Sequence, residues 1–311
     1  MYKDKTIAVI IPAHNEAQFI ASVIHSIPPY VDYIIVVDDA SRDDTSAQAR
    51  ASGDPRLTVL RNETNLGVGG AMVRGYQQAL TLDSDIIVKV DGDGQMPLDH
   101  LEALLQPIVS EGYAYTKGNR FLESATLENM PYLRWVGNIL LTFLTKLASG
   151  YWHVFDPQNG FTAISAAALR SLNLPRIYQG FFFENDMLVQ LNIRHYRVKD
   201  VPMPTIYGEE QSDLHIRKVI FVFSRLLINR FFYRIYQKYI LRDFSPIVIF
   251  LFIGTLMIVW GTVFGGYHWL QSIRTNTPAT TGTVMLAAMP FILGFQLLLQ
   301  AIVLDIQETP R

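Results

Sequence analysis

Two carboxylates, Asp91 and Asp93, follow directly after the apolar stretch "DIIVKV", and Gly92 separates them. In an extended segment alternate side chains point the same way, so these carboxylates can converge on one cation or one pair of hydroxyl groups. Oxygen ligands suit Mg²⁺ or Mn²⁺, and Mg²⁺ is usually held by one or two carboxylates together with substrate phosphates. An acidic turn that only ends a strand has the same sequence pattern, so both interpretations stay open at this point.

The elements that must position these carboxylates alternate between strands and helices. Four apolar runs of strand length alternate with four segments of helical spacing, at residues 6–13, 17–27, 33–41, 43–51, 57–62, 69–82, 85–93 and 97–109. Such alternation predicts an α/β fold, with a mainly parallel sheet and helices on both faces. Ligands of open parallel sheets bind beyond the carboxyl ends of the strands. The acidic ends of the second and fourth runs, "VVDDAS" and "VKVDGDG", are therefore expected on one rim of the sheet.

The bulk composition narrows the class of protein. The chain has 311 residues, a formal net charge of −2 and no cysteine. The near-neutral charge gives no indication of a nucleic-acid partner, and the lack of cysteine excludes disulfide bonds and thiolate metal sites. No linker rich in Pro, Gly or Ser interrupts residues 1–215, which are predicted to form one domain.

Two uncharged apolar segments, 246–270 and 283–304, occupy most of the C-terminal region 245–311. Each is longer than the roughly 20 residues that cross the hydrocarbon core of a bilayer. They predict a transmembrane helical hairpin with a short tail. A hairpin of buried core helices is the alternative.

A basic segment, residues 216–244, precedes the hairpin. Its aromatic residues are interleaved with Arg217, Lys218, Arg225, Arg230, Arg234, Lys238 and Arg242, whereas the loop of the hairpin contains only Arg274. The positive-inside rule therefore predicts an integral membrane protein with residues 1–215 and the C-terminus in the cytoplasm. The basic segment itself is predicted to form amphipathic helices in the headgroup layer. An ordinary amphipathic helix packed on the soluble domain is the alternative.

Four motifs of the N-terminal part occur in a characteristic order and spacing: "IIPAHNEAQFI", "VVDDASRDDT", "NLGVGGAMVRG" and "VDGDGQ". In these motifs the chain resembles glycosyltransferase family 2, which has the GT-A fold. The likeness extends from residue 6 to about residue 205 and is strongest to the polyprenyl-phosphate branch, which includes dolichyl-phosphate mannose synthase. The four motifs together are specific to the family and much less specific to the sugar that is transferred.

The resemblance implies a nucleotide-sugar site on the predicted rim. The matching residues are Pro12, Ala13, Glu16, Asp38, Asp39, Asn65, Gly67, Gly69, Asp91, Gly92 and Asp93. Glu16 would face the ribose or the base, and Asp39, supported by Asp38, would accept a hydrogen bond from the base. The segment 65–70 would pass close to the nucleotide, with its glycines making room. Glu16 could alternatively be an ordinary acidic residue in the first turn of a helix.

The resemblance also implies a metal site and an acceptor site. Asp93, with Gln95 and Asp91, would bind the Mg²⁺ or Mn²⁺ ion that bridges the diphosphate. The catalytic set would comprise Asp91, Asp93, Arg120, Asp156, Glu184 and Asp186, with the last three on the acceptor side. Arg120 would hold the acceptor phosphate, because a planar guanidinium can bind phosphate through two hydrogen bonds, and Arg217 and Lys218 are further candidates for the same phosphate. Asp156 could instead be a turn former before a proline.

One departure from the family pattern concerns the loop after the last predicted strand. Tyr207 stands near the usual position of an arginine, Ser212 is kept, and Asp213 stands at the usual position of a lysine. This loop therefore lacks the bases that would close over the diphosphate. Either Arg217 and Lys218 compensate at the phosphates, or the donor is held differently.

The expected activity is a metal-assisted, inverting transfer of a sugar from a nucleotide diphosphate to a polyprenyl phosphate in the bilayer. UDP-glucose is the first choice of donor and GDP-mannose the second, by analogy with relatives. A homo-oligomer, a dimer or a tetramer, is a further expectation from the family. Two alternatives stay open: a family 2 transferase with another lipid or a polysaccharide as acceptor, and an inactive membrane-anchored module that binds nucleotide sugars.

Overall fold

The computed structural model describes residues 1–120, 132–204 and 216–310. They divide into two compact units, Met1–Phe231 with Pro310–Arg311, and Phe232–Thr309. The predicted departure at Tyr207, Ser212 and Asp213 lies outside the described residues. Arg217 and Lys218 lie in a helix of which only the backbone is described at these positions.

A seven-stranded sheet forms the centre of the first unit. Its strands are β1 (Ile7–Ala13), β2 (Tyr33–Asp38), β3 (Leu57–Arg61), β4 (Ile86–Lys89), β5 (Tyr115–Asn119), β6 (Thr162–Ser165) and β7 (Val198–Pro202). They lie in the order β3-β2-β1-β4-β6-β5-β7. All neighbouring strands are parallel except at β6, which is antiparallel to both β4 and β5. The predicted α/β fold with a mainly parallel sheet is confirmed.

Helices cover both faces of this sheet, as predicted. The helices that accompany the sheet are α1 (Ile20–Ser26), α2 (Thr45–Ala51), α3 (Gly67–Thr81), α4 (Leu101–Ser110), α5 (Tyr132–Ser149), α6 (Ala166–Ser171), α7 (Phe183–Ile193) and α8 (Ile216–Arg234). Of these, α1 to α4, α6 and α7 pack on the sheet, whereas α5 and α8 meet with Phe182 in a separate apolar cluster. Alternate residues of β1 enter two separate cores: Ala8 and Ile10 pack into one, Val9 and Ile11 into the other. A strand that is buried on both faces reads as a continuous apolar run, which explains the sequence "IAVII".

The fourth strand is shorter than the sequence predicts. The apolar run suggested a strand through Asp93, but β4 ends at Lys89, which pairs with Thr162 at the start of β6. The chain then leaves the sheet, and Gly94 turns it with a φ of 75°. Asp91 and Asp93 therefore lie on a turn, so the extended geometry that was expected to align their side chains does not apply.

The second unit contains a π-helical turn, Ile235–Ile240, and two long helices, α9 (Pro246–Thr275) and α10 (Thr281–Gln307). Both helices are long and apolar enough to cross a membrane. Each begins at a hydroxyl cap: Ser245 accepts from the backbone of Ile247, and Thr280 from that of Thr283. Such caps satisfy backbone donors that the first turn of a helix leaves open.

The outer surface of this hairpin is apolar and exposed, whereas its inner surface is built from small residues. Phe252 is 70% exposed, and Ile292 is 64% exposed. A Cβ atom on Gly254 would lie 2.9 Å from the carbonyl oxygen of Gly294, so the two helices pack backbone to backbone there. Close contact through small residues is typical of membrane helices. These features favour a membrane hairpin over the alternative of a buried core hairpin.

Candidate active site

A cleft of about 150 Å³ lies beyond the carboxyl end of β4. Its walls are formed by Asp91, Asp93, Gln95, Met96, Pro97, Arg120, Gln158, Asn159, Gly160, Phe161, Met203 and Pro204. It therefore brings together the predicted metal-binding residues and the arginine predicted at the acceptor phosphate. Because Ala13 at the end of β1 is the register partner of Asp38 at the end of β2, the acidic ends of β2 and β4 lie on the same rim, as expected.

A buried lysine supports the first carboxylate of the cleft. The Nζ atom of Lys89 lies 2.6 Å from Asp91 Oδ1 and 3.1 Å from Glu184 Oε1. Burial by itself would lower the pKa of the Lys89 ammonium group, but the charges of Asp91 and Glu184 outweigh burial and raise it. Lys89 therefore stays charged, and it ties the end of β4 to the first turn of α7.

Two glycines leave room for close contacts around Asp91. A Cβ atom on Gly160 would collide with the Asp91 carboxylate and with the Lys89 ammonium group. A Cβ atom on Gly92 would lie 3.3 Å from Cγ of Glu16 and 3.5 Å from Cβ of Ala13. The predicted donor residues of the first and fourth motifs are therefore direct neighbours.

Replacing Gly160 with alanine is expected to lower transfer activity about tenfold or more, because a shift of about 1 Å in a positioned group can cost up to about 100-fold in rate. The added methyl group must displace either Asp91 or Lys89. Gly266→Ala is the control, since a Cβ atom at Gly266 meets nothing within 4 Å. Initial rates and thermal unfolding of both variants check the prediction. An active Gly160→Ala protein would mean that the Asp91 geometry is not needed.

Glu16 lies between the first strand and the first helix. Its backbone N–H donates to Oγ1 of Thr45 at 2.9 Å, which ties the β1–α1 loop to α2. Glu16 precedes α1, which begins at Ile20, and its carbonyl group accepts a hydrogen bond from the backbone N–H of Ile20 at 3.0 Å. Pro12, which is also predicted to contact the nucleotide, lies near the end of β1, where its register partner is Val37 of β2.

Asp38 and Asp39 are both buried and already hydrogen-bonded within the protein. The Asp39 carboxylate accepts hydrogen bonds from the side chain of Asn62 at 2.6 Å and from the backbone N–H groups of Leu66 and Gly67 at 2.9 and 2.7 Å. Burial alone would raise the pKa of Asp38, but hydrogen bonds from Ser41 and Ser46 hold it below its ordinary value. Through its hydrogen bonds with Leu66 and Gly67, Asp39 fixes the start of the predicted nucleotide loop.

The glycine-rich loop packs against another part of the chain. Oδ1 of Asn65 accepts from the backbone N–H of Gly67 at 3.0 Å, and Gly67 has a φ of 77° that favours glycine. The N–H of Gly69 donates to the carbonyl of Gln179 at 2.6 Å. A Cβ atom on Gly67 or Gly69 would lie 2.8 Å from that same carbonyl oxygen. The space that these glycines leave is thus filled by the segment before α7.

Arg120 and Asp156 form a bidentate ion pair at the edge of the cleft. Nε of Arg120 donates to Oδ2 of Asp156 at 2.8 Å, and Nη2 donates to Oδ1 at 3.1 Å. Burial would raise the pKa of Asp156, but the hydrogen bond from Arg120 and the charge of Lys117 hold it below the ordinary value. Asp156 is therefore more than a turn former: it orients the guanidinium group of Arg120.

The two predicted acceptor-side carboxylates of α7 lie in different surroundings. Glu184 faces Lys89, whereas Asp186 is fully buried and forms an ion pair with Nε of Arg230 on α8 at 3.0 Å. Asp186 also accepts from the backbone N–H of Tyr178 at 2.8 Å. Burial raises the pKa of Asp186, and the nearby Arg230 offsets only part of that rise. Asp186 does not line the cleft, and its observed contacts join α7 to α8.

Two lysines of the site were missed by the reasoning from the sequence. Both lysines are buried: Lys89 is the last residue of β4, and Lys117 is the middle residue of β5. Lys117 donates to the backbone carbonyl of Asp156. The available signal was a lysine inside an otherwise apolar strand, as in "DIIVKV", because lysine is almost never fully buried unless it is paired.

The donor set of the cleft fits a divalent cation. Asp93 and Gln95 provide hard oxygen atoms on one wall, and the backbone N–H of Gln95 donates to Oδ1 of Asp93 at 2.9 Å. Asp91 has its charge compensated by Lys89, so it is the weaker candidate as a ligand. Within the described residues no group of three or more His, Cys, Asp or Glu side chains is gathered around a metal position. Few protein ligands suit Mg²⁺, which completes its shell with phosphates and water.

Comparison with known proteins gives concordant results. The family model for glycosyl transferase family 2 matches residues 8–172. UDP-N-acetylglucosamine–dolichyl-phosphate N-acetylglucosaminyltransferase of Methanococcus voltae is 33% identical over an alignment of 221 positions, gaps included, which covers 66% of this chain and 88% of that protein. Polyprenol monophosphomannose synthase of Mycolicibacterium smegmatis is 29% identical over an alignment of 230 positions, gaps included, which covers 68% of this chain and 83% of that protein.

A solved structure adds a likeness in fold. Glucosyl-3-phosphoglycerate synthase of Mycobacterium tuberculosis, crystallised with Mn²⁺, UDP and phosphoglyceric acid, aligns with a TM-score of 0.56 and 27% identity. The alignment covers 74% of this chain and 78% of that one. Because the family model spans more than half of the 311 residues, and because the relatives are matched over most of their own length, the chain belongs to glycosyltransferase family 2.

Proposed function

We propose that this glycosyltransferase moves a sugar from a nucleotide diphosphate to the phosphate group of a polyprenyl lipid, with Mg²⁺ or Mn²⁺ as cofactor. The observation that carries the proposal is the cleft at the end of β4, where Asp91, Asp93 and Gln95 face Arg120. The relatives from Methanococcus voltae and Mycolicibacterium smegmatis, which are named for dolichyl-phosphate and polyprenol substrates, support a lipid acceptor. The two helices that are long enough to cross a membrane support the same choice.

Each residue of the cleft has its own role in the proposed reaction. Asp93 and Gln95 would hold the cation, and Asp91, fixed by Lys89, would orient the donor sugar. When bound, the cation supplies Lewis-acid stabilisation of the negative charge on the leaving diphosphate. Arg120, oriented by Asp156, would hold the acceptor phosphate in line with the sugar.

The proposed transfer needs no general base. The bond between the anomeric carbon and the diphosphate breaks, and an oxygen of the acceptor phosphate forms the new bond with inversion at that carbon. The second pKa of a phosphate monoester is about 6, so the acceptor is mostly ionised near neutral pH. The buried Asp186, which pairs with Arg230, is therefore assigned a structural rather than a proton-transfer role.

The experiment that tests the proposal is a donor and acceptor screen with the full chain in detergent. Radiolabelled UDP-glucose, GDP-mannose and UDP-N-acetylglucosamine are each supplied with undecaprenyl phosphate, with and without Mn²⁺. Label in the lipid extract that requires Mn²⁺ is the expected result, with UDP-glucose as the first expectation. Phosphoglyceric acid replaces the lipid in a parallel arm, because a structural relative was crystallised with it. Label on that acid, and none in lipid, would refute the lipid acceptor.

The proposed membrane orientation keeps residues 1–215 in the cytoplasm and returns the C-terminus there. It rests on the basic residues before the hairpin, such as Arg225 and Arg242, against the single Arg274 in its loop. Reporters of cytoplasmic location, joined after the C-terminus, are expected to be active, and the same reporters inserted at residue 278 inactive. The reverse result would contradict the orientation. The apolar outer surface of the hairpin is compatible with lipid and with a second copy of the chain, so the dimer or tetramer stays a prediction.

A further inference from the structure

Lys89 connects two carboxylates that arise from different parts of the fold. It is the last residue of β4, and its side chain is only 2% exposed. Asp91, which is 30% exposed, reaches the cleft, whereas Glu184 comes from the first turn of α7 and is 9% exposed. The buried ammonium group therefore connects a carboxylate that lines the cleft, Asp91, with one that does not, Glu184.

A purely structural role gives no reason for a charge at this position. The three preceding residues of β4 are Ile86, Ile87 and Val88, and all are buried apolar side chains. Replacing a complete buried ion pair or triad by apolar side chains of similar volume is often neutral or stabilising for a fold. The charge of Lys89 must therefore serve what it holds, which is the pair of carboxylates.

The backbone around Lys89 is fixed more firmly than that around Asp91. Lys89 is paired with Ile10 on one side and with Thr162 on the other, and the N–H of Val90 donates to the carbonyl of Ile10 at 3.0 Å. Asp91 lies beyond the ladder. The ion pair with Lys89 thus holds the Asp91 carboxylate, which lies on a turn, in a fixed position relative to the sheet. Gly160 has no side chain and therefore leaves room for the contact between Lys89 and Asp91.

We propose that Lys89 is a positioning residue that holds the donor-side carboxylate of Asp91 and the acceptor-side carboxylate of Glu184 in one arrangement. The inference rests on the proposed function, in which Asp91 orients the donor sugar. Lys89 acts through Asp91 and does not touch substrate. Without its charge the two carboxylates repel each other, and Asp91 turns away from its position on the wall of the cleft.

The test compares Lys89→Met with Lys89→Arg in the full chain, with Lys199→Met as the control. Lys199 forms an ion pair with Glu111 at 2.6 Å, and both side chains are well exposed. We expect Lys89→Met to lower kcat about 100-fold, the scale of a misplacement of about 1 Å, with the donor KM and the binding of UDP or GDP changed less than about threefold. Lys89→Arg keeps a charged hydrogen-bond donor for both carboxylates, so its kcat should be at least about tenfold higher than that of Lys89→Met.

A double variant separates positioning from general support of the fold. Glu184→Gln removes one of the two repelling charges, so Lys89→Met with Glu184→Gln should be more active than Lys89→Met alone. A loss of nucleotide binding that parallels the loss of kcat would indicate a structural role and overturn the inference, as would a Lys89→Met protein with kcat within about threefold of the original protein. Thermal stability is expected to fall under either role, because Asp91 and Glu184 lose their shared partner.

A crystal structure of the Lys89→Met protein gives a readout that does not depend on the acceptor. Displacement of the Asp91 carboxylate from Gly160 is expected, and an unmoved carboxylate would refute the inference. If the original protein glycosylates an acceptor other than polyprenyl phosphate, the proposed lipid acceptor fails. The kinetic comparison is then made with that other acceptor, so the two failures are distinguishable.

Discussion

Asp93→Asn is expected to lower the rate of sugar transfer about 10²–10³-fold, the scale seen when one well-placed electrostatic group is removed from an active site. The substitution takes away a negatively charged oxygen from the wall of the cleft. The fold should persist, because the Oδ1 atom of asparagine can still accept the hydrogen bond that the backbone of Gln95 donates to Asp93. The measurement is the initial rate at saturating Mn²⁺, together with Mn²⁺ affinity by calorimetry in the presence of UDP or GDP.

Asp99→Asn is the matched control for this variant. Asp99 follows the same turn and is exposed, but it does not line the cleft. The same charge change there should leave both rate and Mn²⁺ affinity within about twofold of the original values, because exposed charges outside a site contribute little. A nearly normal rate for Asp93→Asn, or equal losses for the two variants, would remove Asp93 from the proposed metal site.

Asp305→Ala is expected to destabilise the second unit by about 3–5 kcal/mol, the usual cost of leaving one member of a buried ion pair without its partner. Arg234 is fully buried, and its Nη1 and Nη2 atoms lie 2.7 and 2.9 Å from the two carboxylate oxygens of Asp305. The hydroxyl group of Tyr239 donates to the same carboxylate at 2.6 Å. Asp305 therefore joins the end of α10 to the last residue of α8 and to the π-helical turn.

Thermal unfolding of the full chain in detergent measures this effect. Glu308→Ala is the control, since Glu308 is an exposed residue one turn further along the chain. A second variant, Asp305→Leu with Arg234→Met, should recover much of the stability, because it removes both charges of the pair together. Loss of less than about 1 kcal/mol in Asp305→Ala would show that the pair is compensated elsewhere.

The elements of the fold were predictable from local patterns. The apolar runs and helical segments predicted β1 to β4 and α1 to α4, and the uncharged segments predicted the two helices of the hairpin. Such patterns reflect which faces of one segment are buried, so a single segment carries the information. The shared rim of the acidic motifs followed from the same reasoning, because parallel strands end on the same side of the sheet.

The contacts of the site were decided by tertiary structure. Where β4 ends depends on its pairing with β6, which comes from a distant part of the chain. The hydrogen bonds of Asp39 with Gly67 and of Arg120 with Asp156 join residues 28 and 36 positions apart. No local pattern encodes such partners.

Lys89 illustrates the difference between the two kinds of information. The sequence by itself determined that the lysine ends an apolar strand beside two acidic residues. Only the packing of α7 against the sheet decided that its charge is shared between Asp91 and Glu184. The physical reason is that a buried charge is stable only where the fold brings opposite charges around it, and those come from segments far apart in the chain.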